Sequence, residues 1–110
     1  MEISYRSRKL QKKLTDPKQM AKSYGVLAKK IQQRLQDLRA ASHLGIMKTL
    51  PAARCHELTG NLKGELAVDI SGNFRILFEP NHNPIPKKED GGLNWEEVSK
   101  IQINAIEDYH

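Results

Sequence analysis

Asp108, Tyr109 and His110 set a carboxylate, a phenol and an imidazole in a row, directly after the apolar alternation of Ile101, Ile103 and Ala105. Side chains of these types move or steer protons, and their place beside a strand pattern suggests general acid and base chemistry at a sheet. The plainer reading is an aromatic cover over the edge of the core with a solvated imidazole beside it. A regular strand sends Asp108 and His110 to one side and Tyr109 to the other, so convergence on one site requires a bend or an early end of the strand.

A second candidate is Arg75. Leu66, Val68 and Ile70 alternate with Ala67 and Asp69, and after Ser71-Gly72-Asn73 the residues Phe74, Ile76 and Phe78 alternate with Arg75, Leu77 and Glu79. If those three residues form a hairpin loop, Ile70 faces Phe74, Val68 faces Ile76 and Leu66 faces Phe78 on one apolar side. The same register sets Asp69 opposite Arg75 on the other side, away from the helices. Arg75 is then either one half of a cross-strand ion pair with Asp69 or a contact for a phosphate group.

The elements that must carry these groups are legible from periodicity and caps. Ile3 and Tyr5 alternate with polar neighbours as a first strand, and Ser7 can cap a short basic helix with Leu10 and Leu14 on one side. Asp16-Pro17 followed by Gln19 is a helix start, with a capping carboxylate and proline at the first helical position. From there Met20, Tyr24, Leu27, Ile31, Leu35 and Leu38 project within about 80° of one another, which predicts one continuous helix with a core-facing stripe. Gly25 weakens that helix by about 1 kcal/mol. Leu44 to Leu50 can add one or two further helical turns before Pro51. Strand, helices and then strands predict an α+β fold in a single domain spanning residues 1–110.

Pro80 to Glu97 is an 18-residue connection without periodicity, which marks a functional or mobile loop. Its Trp95 can pin the loop to the core, the commoner case, or stack on a base. His43 and His82 lack ligand-spaced partners, so no metal site and no cofactor is expected. Cys55, the only cysteine, reads as a small buried hydrophobe with no disulfide or zinc spacing available to it.

Charge is distributed unevenly. The 110 residues carry a net +5, yet residues 1–54 hold 13 Lys and Arg against 3 Asp and Glu, while residues 55–110 hold 5 against 10. The basic half suits a polyanion such as nucleic acid, although lysine-rich helix faces also serve solubility. No long apolar run or signal-peptide pattern is present, so a cytoplasmic protein with no membrane partner is expected.

Four stretches carry a resemblance that spans essentially the whole chain. They are Leu50-Pro51; Arg54-Cys55-His56-Glu57-Leu58-Thr59-Gly60 with Lys63-Gly64; Asn73-Phe74-Arg75-Ile76-Leu77-Phe78-Glu79; and Glu107-Asp108-Tyr109-His110. In this order and at this separation they resemble the RelE/ParE superfamily of bacterial toxins, most closely the HigB-like ribonucleases.

The resemblance implies a RelE-like domain, with an N-terminal strand and helices packed on one face of a mostly antiparallel sheet. It implies the toxin of a type II toxin-antitoxin system, a metal-independent endoribonuclease that cuts messenger RNA on the ribosome. Its partner would be a cognate antitoxin, expected to be a helix-turn-helix DNA-binding protein. The catalytic residues it implies are His56, Arg75, Asp108, Tyr109 and His110. Thr59 and Leu62 stand where some relatives carry basic residues, a loss that Lys63 can offset. Arg8, Lys9, Lys12, Lys13, Lys22, Lys29 and Lys30 would contact RNA from the helices. The rivals are a ParE-like gyrase inhibitor, which would generally lack the histidines and terminal acid, and a non-catalytic relative that only grips an antitoxin.

Overall fold

The computed structural model describes residues 1–108; Tyr109 and His110 lie outside the described residues. Strand β1 (Glu2–Tyr5) is followed by helices α1 (Arg8–Thr15), α2 (Pro17–Tyr24) and α3 (Ala28–Ala40). Strands β2 (His56–Glu57), β3 (Leu66–Asp69), β4 (Phe74–Pro80) and β5 (Lys100–Asp108) complete a five-stranded sheet of order β1-β5-β4-β3-β2. Strand β1 runs parallel to β5, and the other three pairings of this sheet are antiparallel. The α+β architecture expected from the sequence is the one observed.

Local signals place the helix starts. The Ser7 hydroxyl accepts the Leu10 N–H, and the Asp16 carboxylate accepts the Lys18 N–H ahead of Pro17 at the first turn. The expected continuous helix after Asp16 is corrected. Gly25 takes φ +53°, caps α2 through its N–H to the Ala21 carbonyl, and opens a 3-10 turn over Gly25–Leu27 before α3 begins. A glycine able to hold positive φ turned a weak point into a corner. The stripe survives the break, because Met20, Ile31, Leu35 and Leu38 are all buried, with Tyr24 and Leu27 packed beside them. Leu44–Thr49 does add helical turns, of 3-10 type.

The core lies between the helices and one face of the sheet, where Leu66, Val68, Ile76, Phe78, Ile101 and Ile103 are buried. The β3–β4 register is the one expected, with Leu66 opposite Phe78, Val68 opposite Ile76 and Asp69 opposite Arg75. Between Leu77 and Phe78 the β4–β5 ladder slips, so that Leu77 pairs with Ala105 and Phe78 with Ile103, leaving Asn104 as the extra residue of a bulge.

The connection after β4 is more ordered than its composition predicts. Lys87 and Leu93 pair across a turn closed by Lys88 and Gly92, and Trp95–Glu97 forms a 3-10 turn. Trp95 packs against the core, donates Nε1–H to Glu57 at 3.0 Å and carries the Lys48 ammonium 4.5 Å above its ring. It pins the loop. His82 Nε2 accepts the Ser99 and Lys100 N–H groups at the start of β5, and His43 Nδ1 lies 3.3 Å from Glu96. Cys55 is partly buried against the core, and burial pushes its thiol up to about 12, with Lys48 pulling weakly the other way. No helix among the described residues is long and apolar enough to cross a membrane.

Candidate functional site

The face of the sheet turned away from the helices carries three rows of side chains. Register and pleat place Asp69, Arg75 and Glu107 in one row across β3, β4 and β5. The next row runs His56, Ala67, Leu77 and Ala105 across β2 to β5, an apolar floor with an imidazole at its end. The third row is a hydrogen-bonded chain: Gln102 Nε2–H donates to Glu79 at 3.3 Å and to Asn104 Oδ1 at 2.9 Å, and Asn104 Nδ2–H donates to Glu65 at 2.7 Å. The bulge lets Asn104 join this row, because it puts two consecutive β5 residues over the span of one on β4.

His56 Nδ1 lies 2.7 Å from the Arg54 carbonyl oxygen. A carbonyl only accepts, so the neutral ring must keep its proton on Nδ1 and present Nε2 as the basic nitrogen. Arg54 holds that carbonyl in place with backbone angles φ 43° and ψ 52°, a left-handed conformation rare outside glycine. Its guanidinium grips Asp69 at two points, Nε to Oδ2 at 2.8 Å and Nη2 to Oδ1 at 3.2 Å. Below this pair, Arg34 of α3 donates to the Asp69 carbonyl at 2.7 Å, to the Ala52 carbonyl at 3.2 Å and to the Asp37 carboxylate at 3.2 Å.

Arg75 is half of a second ion pair. Its Nε and Nη2 both donate to Glu107 Oε1, at 2.9 and 2.6 Å, and only 14% of its side chain is exposed. Asp69 stands opposite Arg75 in register, yet among the described residues the short ion pairs of this row are Arg54–Asp69 and Arg75–Glu107. Strand spacing and rise put the Cα atoms of His56 and Arg75 on the order of 12 Å apart, a gap that two inward-leaning side chains can close around a phosphate.

The remaining expected site residues are placed as follows. Asp108 is exposed and pairs in register with Phe74, which alternation assigns to the helix-side face at the end of β5. Tyr109 and His110, and with them the expected bend, lie outside the described residues. Lys63 is exposed in the β2–β3 connection and lines a groove of about 270 Å³ with Glu57, Leu58 and Leu93. Arg8, Lys9, Lys12, Lys22, Lys29 and Lys30 are exposed on the helices and Lys13 is half-buried there, across the sheet from His56 and Arg75. Among the described residues no group of three His, Cys, Asp or Glu side chains is arranged to hold a metal ion.

Sequence reading missed Arg54, Glu107 and Asn104 as parts of this face and Arg34 as its support from α3. Arg34 had a usable signal, since at 100° per residue it falls beside the apolar stripe rather than opposite it. The other three depend on a left-handed backbone, side-chain reach and a bulge, which leave no periodic trace.

By fold, the chain is similar to the YoeB/ParE toxin from Agrobacterium tumefaciens, at 10% identity over the full length of both chains with a TM-score of 0.56. It is similar to the YoeB-YefM complex from Staphylococcus aureus, at 17% identity over 100% of this chain and 97% of that one, with a TM-score of 0.56. YafQ from E. coli strain BL21(DE3) aligns at 14% identity over 97% of this chain and 91% of its own, with a TM-score of 0.53. What is shared at such identities is the architecture, the RelE-like toxin fold. No family model and no curated protein matches the sequence.

Proposed function

We propose that this chain, which has the RelE-like toxin fold, is the toxin of a type II toxin-antitoxin system and cuts messenger RNA on the ribosome in the manner of the HigB-like members its motifs resemble. The observation that carries this reading is the orientation of His56. With Nδ1–H held on the Arg54 carbonyl, Nε2 is the nitrogen that exchanges a proton with substrate, over an apolar floor two rungs from an arginine.

The reaction needs only proton transfers and charge stabilisation. A base takes the proton of a ribose 2′-hydroxyl, O2′ bonds to the adjacent phosphorus, the P–O5′ bond breaks, and an acid gives a proton to O5′. The products are a 2′,3′-cyclic phosphate and a 5′-hydroxyl. His56 serves one proton transfer through Nε2 and His110 the other, Tyr109 contacts phosphate or base, and Asp108, which alternation assigns to the helix-side face at the end of β5, tunes an imidazole only by way of the bend expected after it. Arg75 exchanges Glu107 for the scissile phosphate, where its planar fork meets the charge that develops on the non-bridging oxygens. The helix lysines and arginines, with Lys63, contact RNA through phosphates. The antitoxin partner finds support in the neighbour that was solved as a complex, YoeB-YefM.

Primer extension on a translated message tests this. Wild-type protein is expected to produce discrete truncations only when ribosomes translate, and His56→Ala and His110→Ala to abolish them. Inhibition of DNA supercoiling with intact message would instead identify a gyrase poison. Intact message and uninhibited gyrase would identify a binding module.

A further inference from the structure

We infer that Arg54 is a positioning residue: its left-handed backbone aims a carbonyl at Nδ1 of His56, and the Arg54–Asp69 clamp, braced by Arg34, keeps it there. The role in cleavage rests on the nuclease reading; the control of the imidazole tautomer does not.

Neutral histidine in water distributes its proton between the two nitrogens, so a ring that must present Nε2 as a base needs an acceptor fixed at Nδ1. Here that acceptor comes from a residue two positions away, a distance at which an extended strand would send the carbonyl outward along the ladder. The chain instead turns at Arg54, with φ 43°. A residue with a Cβ is strained there and persists only where its surroundings hold it.

Among the described residues, three sets of contacts do the holding. The two-point grip of Arg54 on Asp69 ties the turn to the end of β3. Arg34 bonds the Asp69 carbonyl and the Ala52 carbonyl with one guanidinium, fixing both ends of the clamp to α3. Asp37, bonded to Arg34 Nη1 and accepting from Gln33, fixes Arg34 in turn. Helix, turn and sheet thus converge on the direction of one carbonyl.

The test reads the 15N shifts of the His56 ring in the intact protein, at a pH where the ring is neutral, with the signal identified by its loss in His56→Gln. Wild type is expected to show a protonated Nδ1 and a bare Nε2. Arg54→Ala removes the clamp but keeps the cost of positive φ, so the ring is expected to shift toward the Nε2–H form. Arg54→Gly removes the clamp without that cost and is expected to retain more of the Nδ1–H form than Arg54→Ala. Asp69→Asn, which keeps shape and loses charge, is expected to fall between wild type and Arg54→Ala. Cleavage should follow the same order, with kcat about five- to tenfold lower in Arg54→Ala and KM little changed.

A wild-type ring protonated on Nε2, or an Arg54→Ala ring indistinguishable from wild type, would overturn the inference. Equal behaviour of Arg54→Ala and Arg54→Gly would overturn the part assigned to the left-handed backbone. If the tautomers follow the expected order while His56→Gln cuts message as fast as wild type, the positioning device stands and the catalytic role of His56 fails; if wild type leaves translated message intact, the positioning device stands and the nuclease reading fails.

Discussion

The two sides of this molecule use charge in opposite ways. On the helical layer, Arg8, Lys9, Lys12, Lys22, Lys29 and Lys30 stand exposed along three helices. On the open sheet face, Arg54 and Arg75 are bound into ion pairs with Asp69 and Glu107, and the amides between Glu79 and Glu65 form a fixed chain. Scattered exposed cations make a long-range field that draws in a polyanion without fixing its position. Paired and hydrogen-bonded groups contribute little field and hold geometry, which is what proton transfer needs. Under the proposed function, attraction and chemistry fall to different layers of one small fold.

The largest expected effect follows from removing the imidazole on the ordered face. His56→Ala should lower the cleavage rate by a factor on the order of 10² or more, whereas Lys12→Ala or Lys29→Ala should change it less than about threefold at saturating ribosomes. Single-turnover cleavage rates check this, and equal losses at both faces would erase the division.

Arg34 breaks the pattern usefully, being a helix cation that belongs to the ordered side. Its side chain is 12% exposed and bonded to β3, to the segment before β2 and to Asp37. Arg34→Met should destabilise the fold by about 2 to 3 kcal/mol, roughly 10 °C in Tm, because it takes the guanidinium donor from the partly buried Asp69 carbonyl and Asp37 carboxylate. Lys30→Met, on the solvent-exposed surface of the same helix, should shift stability by less than about 0.5 kcal/mol. Thermal unfolding of the two variants beside wild type measures the difference.

The architecture was legible in the sequence and much of the site was not, for reasons these residues show. Hydrophobic alternation set the β3–β4 register down to Asp69 facing Arg75, since a slip of one residue would have put Val68 and Ile76 in solvent. Capping chemistry located the starts of α1 and α2. Periodicity carried the helix through Gly25, because angular position says nothing about a glycine that adopts positive φ. Ion-pair partners were the weakest reading: Arg75 faces Asp69 across one ladder and bonds Glu107 across the other, a choice made by side-chain reach rather than by pattern. The recognisable motifs pointed to His56 and Arg75, while the parts that orient His56 sit at Arg34, Arg54 and Asp69, spread over helix, turn and strand.

Cys55 gives a smaller, pH-dependent contrast. Its thiol is raised from 9.0 to about 12 in the folded chain. Below pH 9 both folded and unfolded states hold the proton and nothing changes; above it the unfolded state ionises first, so stability falls as pH rises toward 12. Near pH ~10 the loss is about 1 kcal/mol. Chemical denaturation of wild type and Cys55→Ala at about pH 8 and about pH 10 checks it, the variant lacking this part of the slope.

The smallest effects belong to the exposed layer. Each of Lys12→Ala, Lys22→Ala and Lys30→Ala should weaken ribosome binding by a few tenths of a kcal/mol and lower the slope of log affinity against log salt by about one for each phosphate no longer neutralised. Binding isotherms across ionic strength measure this, and a slope near zero in wild type would remove the helical face as the docking surface.

The chemistry of the cut ends is the most direct measurement of the central claim. Fragments from a translated message should carry a 2′,3′-cyclic phosphate upstream and a 5′-hydroxyl downstream, the latter accepting a kinase label without prior phosphatase treatment, and His56→Ala should form them more slowly by a factor on the order of 10² or more. Downstream fragments that begin with a 5′-phosphate, or the same ends at the same rate from His56→Ala, would contradict the account.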